Sequence, residues 1–161
     1  MKPMWQLIVA CACAAAVPAH AQVPVRPASH QATLLMSHNP HLAANKRLVY
    51  DFWREVLEAG HVELAPKYMA VSYIQHNPNV PTGREGFVTF FSQFAKPKPI
   101  AATIAAPLVA LVAEGDLVVL SFVSEKPDPH DASKSYTTTW FDMFRVEHGK
   151  IAEHWDVAAK D

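Results

Sequence analysis

Hydrophobic positions repeat at helical spacing through most of the first half of the chain and at strand spacing through the second. Leu48, Val49, Phe52, Trp53, Val56 and Leu57 recur every three or four residues, which turns one face of a helix toward a core. Asn39-Pro40 predicts its start: Asn accepts from the free N–H groups of the first turn, and Pro there gives up no helical hydrogen bond. Gly60 predicts its end. A shorter helix is predicted over Val62–Met69, with Pro66 near its start or kinking it. Val71 to Gln75 is β-branched and aromatic and predicts a short strand, followed by a turn at His76-Asn77-Pro78-Asn79. Thr82-Gly83-Arg84-Glu85 matches a capping box. It opens a helix that carries Phe87, Phe90, Phe91 and Phe94 on one face and ends at Lys96-Pro97.

From Ile100 onward the pattern predicts strands. Ile100 to Ala113 is apolar, and Pro107 within it implies an edge position or a bulge. Glu114-Gly115-Asp116 is a turn, Leu117 to Ser124 a buried strand, and Lys126 to Ser133 a polar loop. Tyr136 to Glu147, a turn at His148-Gly149, and Ile151 to Val157 form a hairpin. Helices first and an antiparallel meander afterwards predict the α+β class.

Composition narrows the picture. The chain has 161 residues, half of them hydrophobic, with a formal charge of −1. That suits one packed domain and offers no electrostatic footprint for nucleic acid. Lys2, the apolar run Leu7 to Val17 and Ala19-His20-Ala21 have the order of a secretory signal cleaved before Gln22. The run is shorter than the roughly 20 residues of a membrane span. Removing 21 of 161 residues leaves 140, with 13 basic against 15 acidic side chains and neither Cys11 nor Cys13. An exported, thiol-free protein is expected, periplasmic or secreted. No disulfide and no thiolate chemistry are then expected. Gln22 to His38 lacks periodicity and reads as a flexible leader, so the domain is expected over residues 39–161.

Two blocks carry a family resemblance. Tyr73-Ile74-Gln75-His76-Asn77-Pro78, with Gly83 and the Phe-rich helix, resembles the middle of SnoaL-like proteins of the NTF2-like superfamily. Phe141 to Asp156, with Gly149-Lys150-Ile151 and Trp155 inside it, resembles their last hairpin. The likeness spans about residues 40 to 158. It implies a strongly curved antiparallel sheet wrapped around the N-terminal helices into a cone, often dimerised through the sheet. A pocket for a small organic molecule lies at the open end. It also implies aldol condensation without metal or organic cofactor, with Asp156 in the position of the acid/base. Other branches are isomerases, dehydratases, epoxide hydrolases or binders, so the fold alone does not settle the chemistry.

Strand alternation indicates which side chains meet. Thr138, Trp140, Asp142 and Phe144 share one face, as do His154 and Asp156, and the turn sets the two strands side by side. Aldol chemistry needs a base for the proton α to a carbonyl and donors for the enolate oxygen. Asp156 and Asp142 are the candidate carboxylates, and His154 and His76 the candidate donors. Tyr73, Asn77, Trp140, Phe87 and Phe91 are candidate substrate contacts. Trp155 and Glu153 have the opposite parity and should face a helix or a dimer partner. Two alternatives stand beside this one: a non-catalytic binding domain, and a metal held by His76, His154, Asp142 and Asp156. No compact ligand motif supports the metal, and no cofactor is expected. Epoxide hydrolysis wants an arginine between two carboxylates, and Arg145 has the opposite parity from Asp142. Expected partners are a small molecule and a second copy of the chain, without nucleic acid or membrane.

Overall fold

A computed structural model describes residues 23–160. The expected signal over residues 1–21 lies outside them. Helix α1 (Gln31–Leu34) is one turn, and α2 (Pro40–Phe52) begins where Asn39 Oδ1 accepts from His41 N at 2.9 Å. Beyond Phe52 the same helix continues as a π-helical turn, Trp53–Glu58. Such turns are rare and concentrate at functional sites. A short 3-10 turn, Val62–Leu64, and helix α3 (Ala65–Tyr68) replace the single helix expected there, and β1 (Met69–Gln75) starts two residues early. Helix α4 covers Arg84–Phe91, so Phe94 lies beyond it and is exposed.

The capping box does not form. Gly83, at φ 84°, occupies the cap position of α4. Thr82 Oγ1 instead accepts from Gln75 N at 3.1 Å and donates to Tyr73 O at 3.2 Å. With Gly83 N donating to Tyr73 O at 2.7 Å, these bonds tie the loop after β1 back onto the strand. The hydroxyl serves the loop because that loop must close over the end of β1.

Strands β2 (Leu108–Glu114), β3 (Leu117–Pro127), β4 (Ser135–Glu147) and β5 (Lys150–Asp156) follow. The curved sheet has the order β1-β5-β4-β3-β2, with the helices against one face. Four strands form the expected antiparallel meander, while β1 joins β5 in parallel. Pro107 delays β2 to Leu108 because it cannot donate to a ladder. The stretch before it is held instead by Glu58, whose carboxylate accepts from Ala105 N and Ala106 N at 2.8 Å each. His148 (φ 50°) and Gly149 (φ 70°) make the β4–β5 turn. Two successive positive φ angles match the twist of a tight hairpin.

A bulge in β5 sets which residues face inward. Arg145 pairs with Glu153 but Val146 pairs with Ile151, so Ala152 is the extra residue. Ile151 and His154 therefore both point into the core, although their spacing is odd. Phe52 sits at the centre, with ring centroids 5.8–5.9 Å from Tyr68, Phe87 and Phe144.

Residues 23–38, read from sequence as a flexible leader, lie docked on the domain. Val25 N donates to Thr137 Oγ1 at 2.7 Å and Ala28 N to Leu108 O at 2.8 Å. Gln31 Nε2 donates to Ile104 O at 2.7 Å, while its oxygen accepts from Tyr50 Oη at 2.6 Å. Periodicity cannot register such a segment, because its bonds run to partners far along the chain.

Glu55, on the π-helical turn, accepts from Tyr68 Oη, from Lys67 Nζ at 3.0 Å and from Arg54 at 2.8 Å. Burial by itself would raise its carboxyl, but the bonds from Tyr68 and Lys67 outweigh it and hold it below the ordinary 4.5. A depressed folded-state value contributes stability above the unfolded value, lost as pH falls through the folded one. Glu55→Gln should therefore flatten the fall in melting temperature between about pH 5 and pH 3. An unchanged acid limb in a melting series would remove Glu55 from that role.

Candidate active site

Three strand ends and two helices enclose a hollow of about 220 Å³. Helix α2 and its π-helical turn supply Phe52, Trp53 and Leu57, and α4 supplies Phe87 and Phe91. β1 and its loop bring Tyr73, Gln75, Asn77 and Val80; β4 brings Trp140, Asp142 and Phe144; β5 brings His154 and Asp156. Half of the lining side chains are phenylalanine, tyrosine or tryptophan. Trp53, Phe122 and Trp140 stack in sequence at 4.5 and 4.4 Å, and Phe144 lies 4.5 Å over the His154 ring.

The polar groups gather on one side. Asp142 and Asp156 stand directly opposite each other across β4 and β5. Like charges in that position repel, so each carboxylate has its own donors. Asp142, only 6% exposed, accepts from Trp53 Nε1 at 2.8 Å on Oδ2 and faces His154 Nε2 at 3.2 Å on Oδ1. Asp156 accepts from Asn77 Nδ2 at 2.7 Å and from Ala158 N at 2.9 Å. His154, 8% exposed, has Nδ1 3.0 Å from Gln75 Oε1. Gln75 in turn donates from Nε2 to Tyr73 Oη at 2.9 Å. Burial first, then the charges of Asp142 and Asp156, push the Tyr73 hydroxyl far above its ordinary value, so it stays a protonated donor.

Of the residues expected from sequence, Asp156, Asp142, His154, Tyr73, Asn77, Trp140, Phe87 and Phe91 all line this hollow. His76 does not. It follows Gln75 on the strand and so points through the opposite face of the sheet, where Nε2 lies 2.7 Å from Glu153 Oε1. Its ring stacks on Trp155 at 4.8 Å, nearly parallel. Arg145 also lies on that outer face, bonded to Glu153 and Asp116, and is absent from the lining. Sequence reasoning missed Gln75 and Trp53. The parity of Gln75 with Tyr73 was a usable signal, whereas Trp53 fitted the core stripe and gave none.

Asp142, His154 and Asp156 each offer a ligand atom within 4.8 Å of the others. A metal needs a bare lone pair on the imidazole. His154 Nδ1 faces Gln75 and Nε2 faces Asp142, and His76, on the outer face of the sheet, does not complete the expected four-ligand set.

The family model of SnoaL-like polyketide cyclases matches residues 47–160. The chain belongs to this family. No curated protein sequence matches it. Among solved structures it is similar to a candidate polyketide cyclase from Acidithiobacillus ferrooxidans, at 21% identity and TM-score 0.51, covering 76% of this chain and 90% of that one. A candidate SnoaL-like polyketide cyclase from Jannaschia sp. CCS1 is similar at 16% identity and TM-score 0.50, with 76% and 91% covered. An LEH-like epoxide hydrolase of M. tuberculosis is similar at 13% identity and TM-score 0.52, with 73% and 84% covered. At these identities the likeness shows the fold. SnoaL-like membership suggests small-molecule binding, or cyclase or isomerase activity. Among the described residues no helix is long and apolar enough to cross a membrane.

Proposed function

We propose that this SnoaL-like protein is an enzyme that moves a proton at the carbon α to a carbonyl, of aldol-condensation or isomerisation type, without a cofactor. One observation carries the reading: an Asp–His–Asp cluster closes one side of a hollow whose other walls are aromatic. Asp156 is the base. Its two donors, Asn77 Nδ2 and Ala158 N, hold the carboxylate in place, and its partial exposure leaves it reachable from the mouth. The Asp142–His154 pair and the Tyr73 hydroxyl are the donors for the developing enolate oxygen. A non-catalytic binder has less support, because both carboxylates line the hollow instead of turning away from it.

Size bounds the substrate. A hollow of about 220 Å³ exceeds the roughly 150 Å³ that encloses benzene in an engineered core. It falls short of the roughly 300 Å³ at which drug-sized pockets begin. A single ring with a carbonyl and a few substituents fits inside it.

The test needs no knowledge of the natural substrate. Cyclic monoketones are incubated with the protein in D2O, and loss of the α-proton signal is followed by NMR. Exchange above the buffer rate, strongest for one-ring ketones, is expected. A panel with no acceleration for any member ends the catalytic reading.

Two further features are part of the proposal. Val119, Phe141, Met143, Trp155 and Val157 make an apolar patch on the outer face of the sheet, with Phe141 44% exposed, and it suits a second copy of the chain. Phe141→Lys should convert a dimer to a monomer in sedimentation velocity; a wild-type monomer would discard the idea. Export is supported by the signal-like order of residues 1–21. A mature N-terminus at Gln22 in the extracytoplasmic fraction is the expected result.

A further inference from the structure

His154 lies between two oxygen atoms, and the identity of one of them is fixed by the backbone. Gln75 Oε1 is 3.0 Å from Asn77 N as well as 3.0 Å from His154 Nδ1. A backbone N–H can only donate, so the amide atom opposite it is oxygen and not nitrogen. The reversed amide would set two donors face to face. With Oε1 in place, the 3.0 Å contact to His154 is a hydrogen bond only if Nδ1 carries the hydrogen.

The other side of the ring follows. Asp142 Oδ1 faces Nε2 at 3.2 Å, and Asp142 Oδ2 is taken by Trp53 Nε1 at 2.8 Å. A neutral imidazole protonated on Nδ1 would aim a bare lone pair at an ionised carboxylate. In a buried place that contact is repulsive and costly. One more proton must therefore lie between Nε2 and Oδ1, as imidazolium with carboxylate or as imidazole with carboxylic acid. Either way the pair holds two protons and is neutral as a whole.

We propose that Gln75 is a positioning residue that keeps a proton on His154 Nδ1, so that a second proton is shared between His154 Nε2 and Asp142 and the pair serves as the acid partner of Asp156. The proposal rests on the acid/base reading of this site and assigns the direction of the proton. Asp156 takes the proton from the α-carbon, and the electron pair left behind moves onto the carbonyl oxygen. That oxygen then receives the shared proton of the pair, which leaves the pair with one proton and Asp156 protonated. The charged or titratable groups facing His154 are Asp142 on β4, Asp156 beside it on β5 and Tyr73 on β1. α2 and its π-helical turn contribute Phe52 and Trp53 to this wall, neither of them charged.

Protein labelled with 15N in histidine, free of ligand at pH 7, reports which ring nitrogens carry hydrogen, with His154→Gln to assign the signals. The wild type should show His154 protonated on Nδ1. Gln75→Leu removes the acceptor, and the ring should switch to the neutral form protonated on Nε2, facing Asp142. Gln75→Glu keeps an oxygen opposite Nδ1 and should retain the wild-type pattern. In the ketone exchange assay Gln75→Leu should lose about 10- to 100-fold in rate with binding changed little, and Gln75→Glu should recover most of it. A wild-type His154 neutral and protonated on Nε2 overturns the proposal, as does an unchanged spectrum in Gln75→Leu. If Gln75→Leu does not fold, the wild-type and Gln75→Glu spectra decide. Absent exchange activity with Nδ1 protonated would remove the catalytic reading while leaving the proton placement standing.

Discussion

Asp156→Asn should reduce α-proton exchange by about 100-fold or more, the usual loss when a general base is removed. The amide is close in shape and keeps an oxygen for Ala158 N or Asn77 Nδ2, the two donors that now hold the carboxylate. It cannot take a proton from carbon. Asp156 is half-buried at the end of β5, so the melting temperature should shift by only a few degrees and ligand affinity should change little. Turnover within threefold of wild type would remove Asp156 as the base. A collapse in stability would instead show that its bonds to Asn77 and Ala158 hold the strand end.

Asp142→Ala should be felt first in stability. The carboxylate is buried, and its removal leaves Trp53 Nε1 and His154 Nε2 without partners in an aromatic wall. Breaking a buried charged pair by deleting one member costs about 3–5 kcal/mol. For a domain of this size that lowers the melting temperature by roughly 10–20 °C. Asp142→Asn separates structure from chemistry. Its amide oxygen can accept from Trp53 and its NH2 can donate to Nε2, so most of the stability should return. The shared proton is gone, however, and exchange should stay low. Thermal unfolding of both variants with the ketone assay makes the comparison. An Asp142→Ala protein as stable as wild type would mean that the two buried bonds contribute nothing net.

Much of this site could be read before any coordinates. Trp140, Asp142 and Phe144 line the hollow because a strand presents every second residue to one side; His154 and Asp156 meet them because the bulge at Ala152 shifts the pairing by one residue from the register the two-residue turn sets. The same alternation sent Arg145, Glu153 and Trp155 outward. His76 was misplaced although the same rule applied: one position beyond Gln75, it follows the strand to the other face. The Thr82 cap failed for a different reason. Capping patterns describe what a side chain can do locally, and the closing loop offered Thr82 a bond to β1 instead.

Sequence by itself determined the α+β class, the inward stripe of α2, the β4–β5 hairpin and which side chains share a face within each of its strands. These are local consequences of side-chain period and turn chemistry, carried within a few residues of each other. Tertiary structure alone decided that β1 runs parallel to β5, which places Gln75 against His154, and that Trp53 reaches Asp142. Those partners lie 79 and 89 positions apart. No hydrophobic period encodes which distant segments meet, because that choice is made by how the whole core packs. The proton on His154 is therefore placed by the fold, through contacts the residues' own neighbourhoods do not contain.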